Sequence, residues 1–356
     1  MLPAAPGGEP DGLPAAVERR VALVVETSGS TGRPKRVALS ADALLASAAA
    51  SESALGGPAQ WMLALPTHYI AGLNVLVRSF AAGFDPVPVA GEHFTAAAFV
   101  EATQRMTQPE RAVALVPVQL AALLDDPAAR DELRRFQAVL VGGQATPASL
   151  ADRALAAGVR LARSYGSSET SGGCVYDGRP VGGTAVRLED GEVWLGGPSL
   201  AEGYLGDPGL TAERFVERDG RRWFRTADGG GWDGALLTVT GRRDDVLISG
   251  GVKVALAAVE RVLREQPGLH DAVVVAAPDP RWGQTPVAFT ASDVDTDAAV
   301  AAVGAALGPA ARPARIVRLD AIPALASGKP DRRALAVLAS DAAETAGGDG
   351  PPSAAG

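Results

Sequence analysis

The sequence predicts an α/β fold: a large N-terminal domain of mostly parallel strands covered by helices, with a small β unit, then a smaller α+β domain. Three observations carry this. Short apolar runs alternate with helical segments through the first half of the 356 residues, the pattern of a parallel sheet covered on both faces. After Ser171 the character changes, and TAVRLEDGEVWLGG (184–197) alternates around an Asp-Gly turn, a hairpin signal. Beyond the charged run GRRDD (241–245), helix and strand return over roughly a hundred residues, an ordinary domain size.

Taken in order, VALVVET (21–27) reads as a buried strand followed by a glycine-rich loop, TSGSTGRPK (27–35). A helix starts after Ser40, whose hydroxyl suits an N-cap. The loop therefore reads as a strand-to-helix connection. WMLALP (61–66) is a strand, and LNVLVRSFAAG (73–83) a helix carrying Arg78. AVALVPVQLAALL (112–124) joins strand to helix, and FQAVLVGG (136–143) is a strand ending in a glycine turn. A helix follows, stopped by Gly158, then the strand VRLARSYG (159–166). RRWFRTADGGG and ALLTVTGRRDDVLISGG continue in β style, ALAAVERVLREQPG (255–268) is helical, and DAVVVAAPD is a strand. The last stretch lacks apolar periodicity and reads as a disordered tail. The expected division is 1–240, a hinge at 241–245, 246–338, and a tail over 339–356.

Composition narrows the function classes. Hydrophobic residues make up 47% and charged residues 21%, an ordinary globular balance. The net charge of −8 argues against nucleic-acid binding, which needs a basic face. An anionic ligand would need local positive charge, and Arg33, Lys35 and Arg36 supply it. Cys174 is the one cysteine, so no internal disulfide forms and a cytoplasmic setting is expected. No signal peptide or membrane insertion is expected either. His68, His93 and His270 are not at ligand spacing, which argues against a Cys/His metal site. Homo-oligomerisation stays open.

The loop at 27–35 is not the common phosphate loop, whose lysine directly follows a glycine. Lys35 comes after Pro34, three residues beyond Gly32. By itself it also fits a polar turn. Four further stretches accompany it in order: YGSSET (165–170), RTAD (225–228), GRRDDVLISGGVKV (241–254) and SGKPDRRAL (327–335). Together they resemble the adenylate-forming superfamily of acyl-CoA synthetases, adenylation domains and luciferases, along most of the chain. LALPTHYIAGLNVLVRSF (63–80) and YGSSETSGGCVYDG (165–178) are similar to segments of the o-succinylbenzoate–CoA ligases, a family within it in menaquinone biosynthesis.

The resemblance implies a two-step reaction with ATP, Mg²⁺ and coenzyme A. A carboxylate attacks the α-phosphate, releasing pyrophosphate; the CoA thiol then attacks the acyl-adenylate, releasing AMP. It implies a pyrophosphate cradle of Thr27, Ser28, Gly29, Ser30, Thr31, Gly32 and Lys35. Tyr165 and Gly166 lie at the adenine, Ser168 near the α-phosphate, and Glu169 on the metal. Asp228 accepts the ribose hydroxyls, with Arg242 in reach. Ala227 stands where the family commonly has glycine. Lys329 stabilises charge developing on the α-phosphate. Asp244 matches the hinge of a mobile C-terminal domain, and Ser249, Gly250 and Gly251 the CoA side. His68, Tyr69, Arg78, Gln144, Gly172 and Gly173 are candidates for the acyl pocket. The family's loop histidine aligns with Tyr69, one residue after His68. Arg78 suits the second carboxylate of o-succinylbenzoate, although a helix arginine can instead snorkel from a core face.

Other readings stay open: a synthetase for another aryl or short-chain acid, an adenylation enzyme loading a carrier protein, or a non-catalytic nucleotide binder. The presence of Lys35, Glu169, Asp228 and Lys329 together counts against the last.

Overall fold

A computed structural model describes residues 16–27, 35–91, 93–294, 296–325 and 329–346. The chain forms two compact units, Met1–Val239 and Thr240–Gly356.

The first unit opens with a hairpin, β1 (Val21–Thr27) and β2 (Lys35–Ser40). Helix α1 (Ala41–Ala54) follows at once, capped by the Ser40 hydroxyl accepting from the Ala43 N–H. Then come β3 (Gln60–Leu63), α2 (Ile70–Ala82) and β4 (Val87–Pro88). Gly83 ends α2 in the left-handed conformation at φ 73°, the glycine stop expected of a helix C-terminus. Next are α3 (Ala96–Gln104), β5 (Arg111–Leu115), α4 (Pro117–Asp125), α5 (Pro127–Leu133), β6 (Ala138–Val141), α6 (Ala148–Ala156) and β7 (Leu161–Ser167).

A seven-stranded sheet runs β4-β3-β5-β6-β7 in parallel. It ends in two antiparallel strands, β8 (Gly172–Tyr176) and β9 (Arg179–Pro180). Met62, Leu115, Val139 and Val141 from the parallel strands pack with Phe99, Leu120, Leu133 and Phe136 from the helices in one core. Because these strands are parallel, the connections leaving β3, β6 and β7 all emerge at one edge of the sheet.

The predicted hairpin is β10 (Ala185–Glu189) and β11 (Glu192–Gly196), turned by Asp190-Gly191, both at positive φ. Then come β12 (Gly203–Tyr204), which pairs with β2, and α7 (Pro208–Arg214). Strands β13 (Phe215–Arg218), β14 (Arg221–Trp232) and β15 (Leu237–Arg242) complete the β unit, ordered β10-β11-β14-β13 with β15 on β14.

The second unit is an α+β module: β16 (Val246–Ser249), β17 (Val252–Ala255), α8 (Leu256–Arg264), β18 (Val273–Asp279), β19 (Gly283–Thr290), α9 (Thr296–Leu307), β20 (Arg315–Arg318) and α10 (Arg332–Ala346). Its sheet runs β17-β16-β19-β18, with β20 parallel to β19.

Two expectations are corrected. The loop after β1 joins two antiparallel strands, not a strand and a helix; Val37, Ala38 and Leu39 are buried, and Glu26 pairs with Arg36 at 2.9 Å across the hairpin. The tail expected from 339 is helical through Ala346. Leu335 and Ala339, one helical turn apart, are fully buried against Val273, Val275 and Phe289, so tertiary packing holds a segment of weak apolar periodicity.

Candidate active site

Ser28, Gly29, Ser30, Thr31 and Gly32 lie outside the described residues. The two ends of their loop are held by the ladder. Thr27 sits opposite Lys35, and its hydroxyl donates to the Lys35 carbonyl at 3.4 Å. The Lys35 ammonium lies 5.8 Å from the centre of the Tyr204 ring. Tyr204 is buried, and its hydroxyl donates to Glu169 Oε1 at 2.9 Å. Tyr204 thus links Lys35 to Glu169, and the sequence reading missed it. The one available signal was an aromatic after glycine in GYLGDPG.

Glu169 follows β7 in a short helical turn, Ser168–Thr170, with Ser168 buried. No group of three or more His, Cys, Asp or Glu side chains able to hold a metal occurs among the described residues. A single carboxylate still fits magnesium, which is commonly held by one or two carboxylates plus substrate phosphates.

The turn is built by close backbone approach. A Cβ on Gly166 would collide with the Gly172 carbonyl, one on Gly172 with the Asn74 amide, and one on Gly173 with the Ser164 hydroxyl. Asn74 and Ser47 both donate to the Ser171 carbonyl, at 2.8 and 2.9 Å, tying α2 and α1 to the turn. A side chain at Gly166 would meet backbone, and Gly172 adopts φ 97°, a conformation that favours glycine.

Tyr165 on β7 donates to Asp228 Oδ2 on β14 at 2.6 Å. Burial, then the Asp228 charge, pushes the Tyr165 phenol well above its ordinary value, so it remains a donor. Asp228 sits in a bulge of β14. Glu192 faces Gly229 and Trp194 faces Arg225, so a four-residue step on β14 opposes a two-residue step on β11. Thr226 donates to the Val193 carbonyl at 2.7 Å and accepts from the Asp228 N–H at 3.0 Å. Ala227 adopts φ 62°, the left-handed region where glycine is unstrained. Burial by itself would raise the Glu192 pKa, but donors from Trp194, Arg225 and Ala227 outweigh it and hold the carboxyl below its usual range.

His68 and Tyr69 lie in the β3–α2 connection, with ring centres 4.2 Å apart. Burial lowers the His68 pKa, and its Nε2 is buried without a hydrogen-bond partner. Gln144 follows β6 at the same sheet edge and is half-buried. Arg78 does not snorkel: it is 5% exposed, and its guanidinium lies 4.8 Å over the Trp61 ring. Burial lowers its pKa, opposed by neighbouring Tyr176. Arg78 Nε has no partner, and no carboxylate forms an ion pair with Arg78 among the described residues. It lines a small cleft with Ala48, Glu52, Ala112 and Ala138. Cys174 is buried, its thiol pushed up to about 12 by burial, as suits a core filler.

In the second unit, Arg242 grips Asp244 through two hydrogen bonds of 2.8 and 2.6 Å, both side chains partly exposed. Ser249 is buried, and Gly250 and Gly251 form the β16–β17 turn at φ 55° and 83°. The Gly250 N–H donates to the Trp282 carbonyl at 2.9 Å. Lys329 is exposed on a loop whose base is closed by the Ala324–Pro330 bridge and by the Leu325 N–H donating to the Lys329 carbonyl at 2.8 Å. Three residues on, Arg332 pairs with the buried Glu260 at 2.6 Å.

Comparisons with known proteins identify the family. The AMP-binding enzyme family matches residues 5–205, and the AMP-binding enzyme C-terminal domain residues 258–329. The chain is 41% identical over 329 residues to the probable 2-succinylbenzoate–CoA ligase of Mycobacterium tuberculosis, covering 90% of this chain and 85% of that protein. It resembles the amide bond synthetase McbA of Marinactinospora thermotolerans with a TM-score of 0.76 at 30% identity, covering 90% of this chain and 69% of that one. The o-succinylbenzoate CoA synthetase of Bacillus subtilis, solved with the acyl-adenylate intermediate OSB-AMP, matches with a TM-score of 0.74 at 27% identity, covering 88% and 69%. The chain belongs to the AMP-binding enzyme family and is one of its AMP-forming acid–CoA ligases.

Proposed function

We propose that this enzyme ligates 2-succinylbenzoate to coenzyme A through an acyl-adenylate, a step of menaquinone biosynthesis. The observation that carries the substrate assignment is Arg78: a buried guanidinium with an unpartnered Nε and no carboxylate partner among the described residues. A buried charge is costly until it is paired. The second carboxylate of a dicarboxylic acid is the partner its chemistry suits.

In the first step a carboxylate oxygen bonds to the α-phosphorus and the bond to pyrophosphate breaks. The loop from Thr27 to Lys35 neutralises the departing pyrophosphate, with Lys35 held beside Tyr204. Tyr165 stacks on adenine, and its hydroxyl steadies the Asp228 carboxylate that takes the ribose hydroxyls. Glu169, oriented by Tyr204, would hold the magnesium ion, which supplies charge neutralisation on the phosphates. Lys329 stabilises the negative charge developing on the α-phosphate. In the second step the CoA thiolate attacks the carbonyl carbon and AMP leaves. Asp244 is the hinge between the steps, and its partly exposed pair with Arg242 is a contact worth little. Ser249, Gly250 and Gly251 then serve the thiol side.

The test is acyl-CoA formation by the purified protein with ATP, Mg²⁺ and CoA, offering 2-succinylbenzoate beside benzoate, acetate and a medium-chain fatty acid. Strong preference for 2-succinylbenzoate is expected. Equal or better turnover of another acid would remove the substrate assignment. Pyrophosphate release without acyl-CoA would replace CoA with another acceptor.

A further inference from the structure

Glu192 starts β11 immediately after the Asp190-Gly191 turn, a place where carboxylates are normally solvated, yet it is 5% exposed. Its two oxygens have separate partners. Oε2 accepts from Trp194 Nε1 at 3.1 Å and from Arg225 Nη2 at 3.0 Å. Oε1 accepts from the Ala227 N–H at 3.0 Å.

That last bond joins Glu192 to the bulge that carries Asp228. A bulge leaves an N–H without its ladder partner, and a buried N–H must find another acceptor. The unsatisfied group here belongs to Ala227, a residue held in a left-handed conformation that alanine disfavours. The Thr226 hydroxyl holds the Asp228 N–H, and the Glu192 carboxylate is the side chain that reaches the Ala227 N–H itself.

We propose that Glu192 is a positioning residue for the ribose of ATP: it fixes the Ala227 N–H, and so the turn that aims Asp228 at Tyr165 and the ribose hydroxyls. The inference rests on the reading of Asp228 as the ribose acceptor. Both the charge and the length of Glu192 matter. Trp194, Arg225 and Ala227 are all donors, so a glutamine would face one of them with its own NH₂. Aspartate keeps the charge but is shorter by one C–C bond, about 1.5 Å. It cannot satisfy Ala227 while remaining with Arg225 and Trp194.

The experiment measures KM for ATP, for 2′,3′-dideoxy-ATP and for the acid by pyrophosphate exchange, in the wild-type enzyme and in Glu192→Asp, Glu192→Gln and Asp228→Asn. Both Glu192 variants are expected to raise KM for ATP about tenfold, equivalent to one well-placed hydrogen bond to a charged group. KM for the dideoxy nucleotide and the acid should stay within about twofold. A parallel rise in all three constants, or no change in any, would mean that Glu192 only holds the sheet, and would overturn the proposal. If Asp228→Asn loses discrimination between the nucleotides while the Glu192 variants keep it, the ribose reading stands and the proposal falls. If Asp228→Asn keeps discrimination, the ribose reading itself fails, and the proposal with it. Glu192→Asp keeps the charge, so it carries the test if Glu192→Gln does not fold.

Discussion

Replacing Arg78 by methionine should separate substrate binding from stability. The side chain is 5% exposed and its Nε has no hydrogen-bond partner. Its visible compensation is the Trp61 ring at 4.8 Å and the neighbouring Tyr176. A hydrogen bond to a charged group contributes about 1.5–3 kcal/mol. Losing one to the distal carboxylate should raise KM for 2-succinylbenzoate roughly 10- to 150-fold. Benzoate lacks that carboxylate, so its KM should change little. Stability should move the other way. Removing a poorly compensated buried charge relieves a penalty of several kcal/mol, on the order of what buried ions cost. The lost ring contact returns roughly 0.5–2 kcal/mol of that. Methionine fills much of the volume of the arginine stem. Steady-state kinetics with both acids and a thermal melt without ligand check the two effects. Equal KM changes for both acids would refute the binding role. A lower melting temperature would refute the account of Arg78 as a poorly compensated charge.

Three further outcomes are expected. Lys329→Ala should abolish ATP–pyrophosphate exchange while leaving thioester formation from supplied acyl-adenylate largely intact; normal exchange would remove Lys329 from the first step. Ala227→Gly should stabilise the protein by up to about 1 kcal/mol, since the left-handed cost to alanine, about 1–2 kcal/mol, exceeds the entropic cost of glycine. The melting temperature should rise by about 2–4 °C, and a fall would contradict the strain. The raised Cys174 pKa contributes stability that is fully present below the unfolded value near 9 and is lost as pH rises through about 12. Cys174→Ala should therefore flatten the stability loss across pH 9–12, and an unchanged profile would show that the thiol does not drive it.

Where a motif carried its own chemistry, it was legible. The Asp-Gly turn at 190–191 needs left-handed backbone and received it, and Ser40 caps α1 as its side chain allows. The alternation of apolar strands and helices identified the parallel sheet, because a strand buried on both faces must be apolar throughout. β2 was not legible. KRVALS is short, begins with two cations, and becomes a strand by pairing with β1 and Tyr204. The helical residues 339–346 depend likewise on the buried Leu335 and Ala339.

The sequence by itself determined the family, the order of the motifs, and which charged and hydroxyl side chains could meet ATP, since these depend on residue type and spacing. Tertiary structure alone decided which distant side chains support them. Tyr204 stands 35 residues from Glu169 and touches it; Glu192 stands 35 residues from Ala227 and holds its N–H. Such contacts arise when separate strands pair, and neither periodicity nor local propensity records them. The same holds for Arg78, whose burial over Trp61 turns an ambiguous helix arginine into a charge in need of a partner.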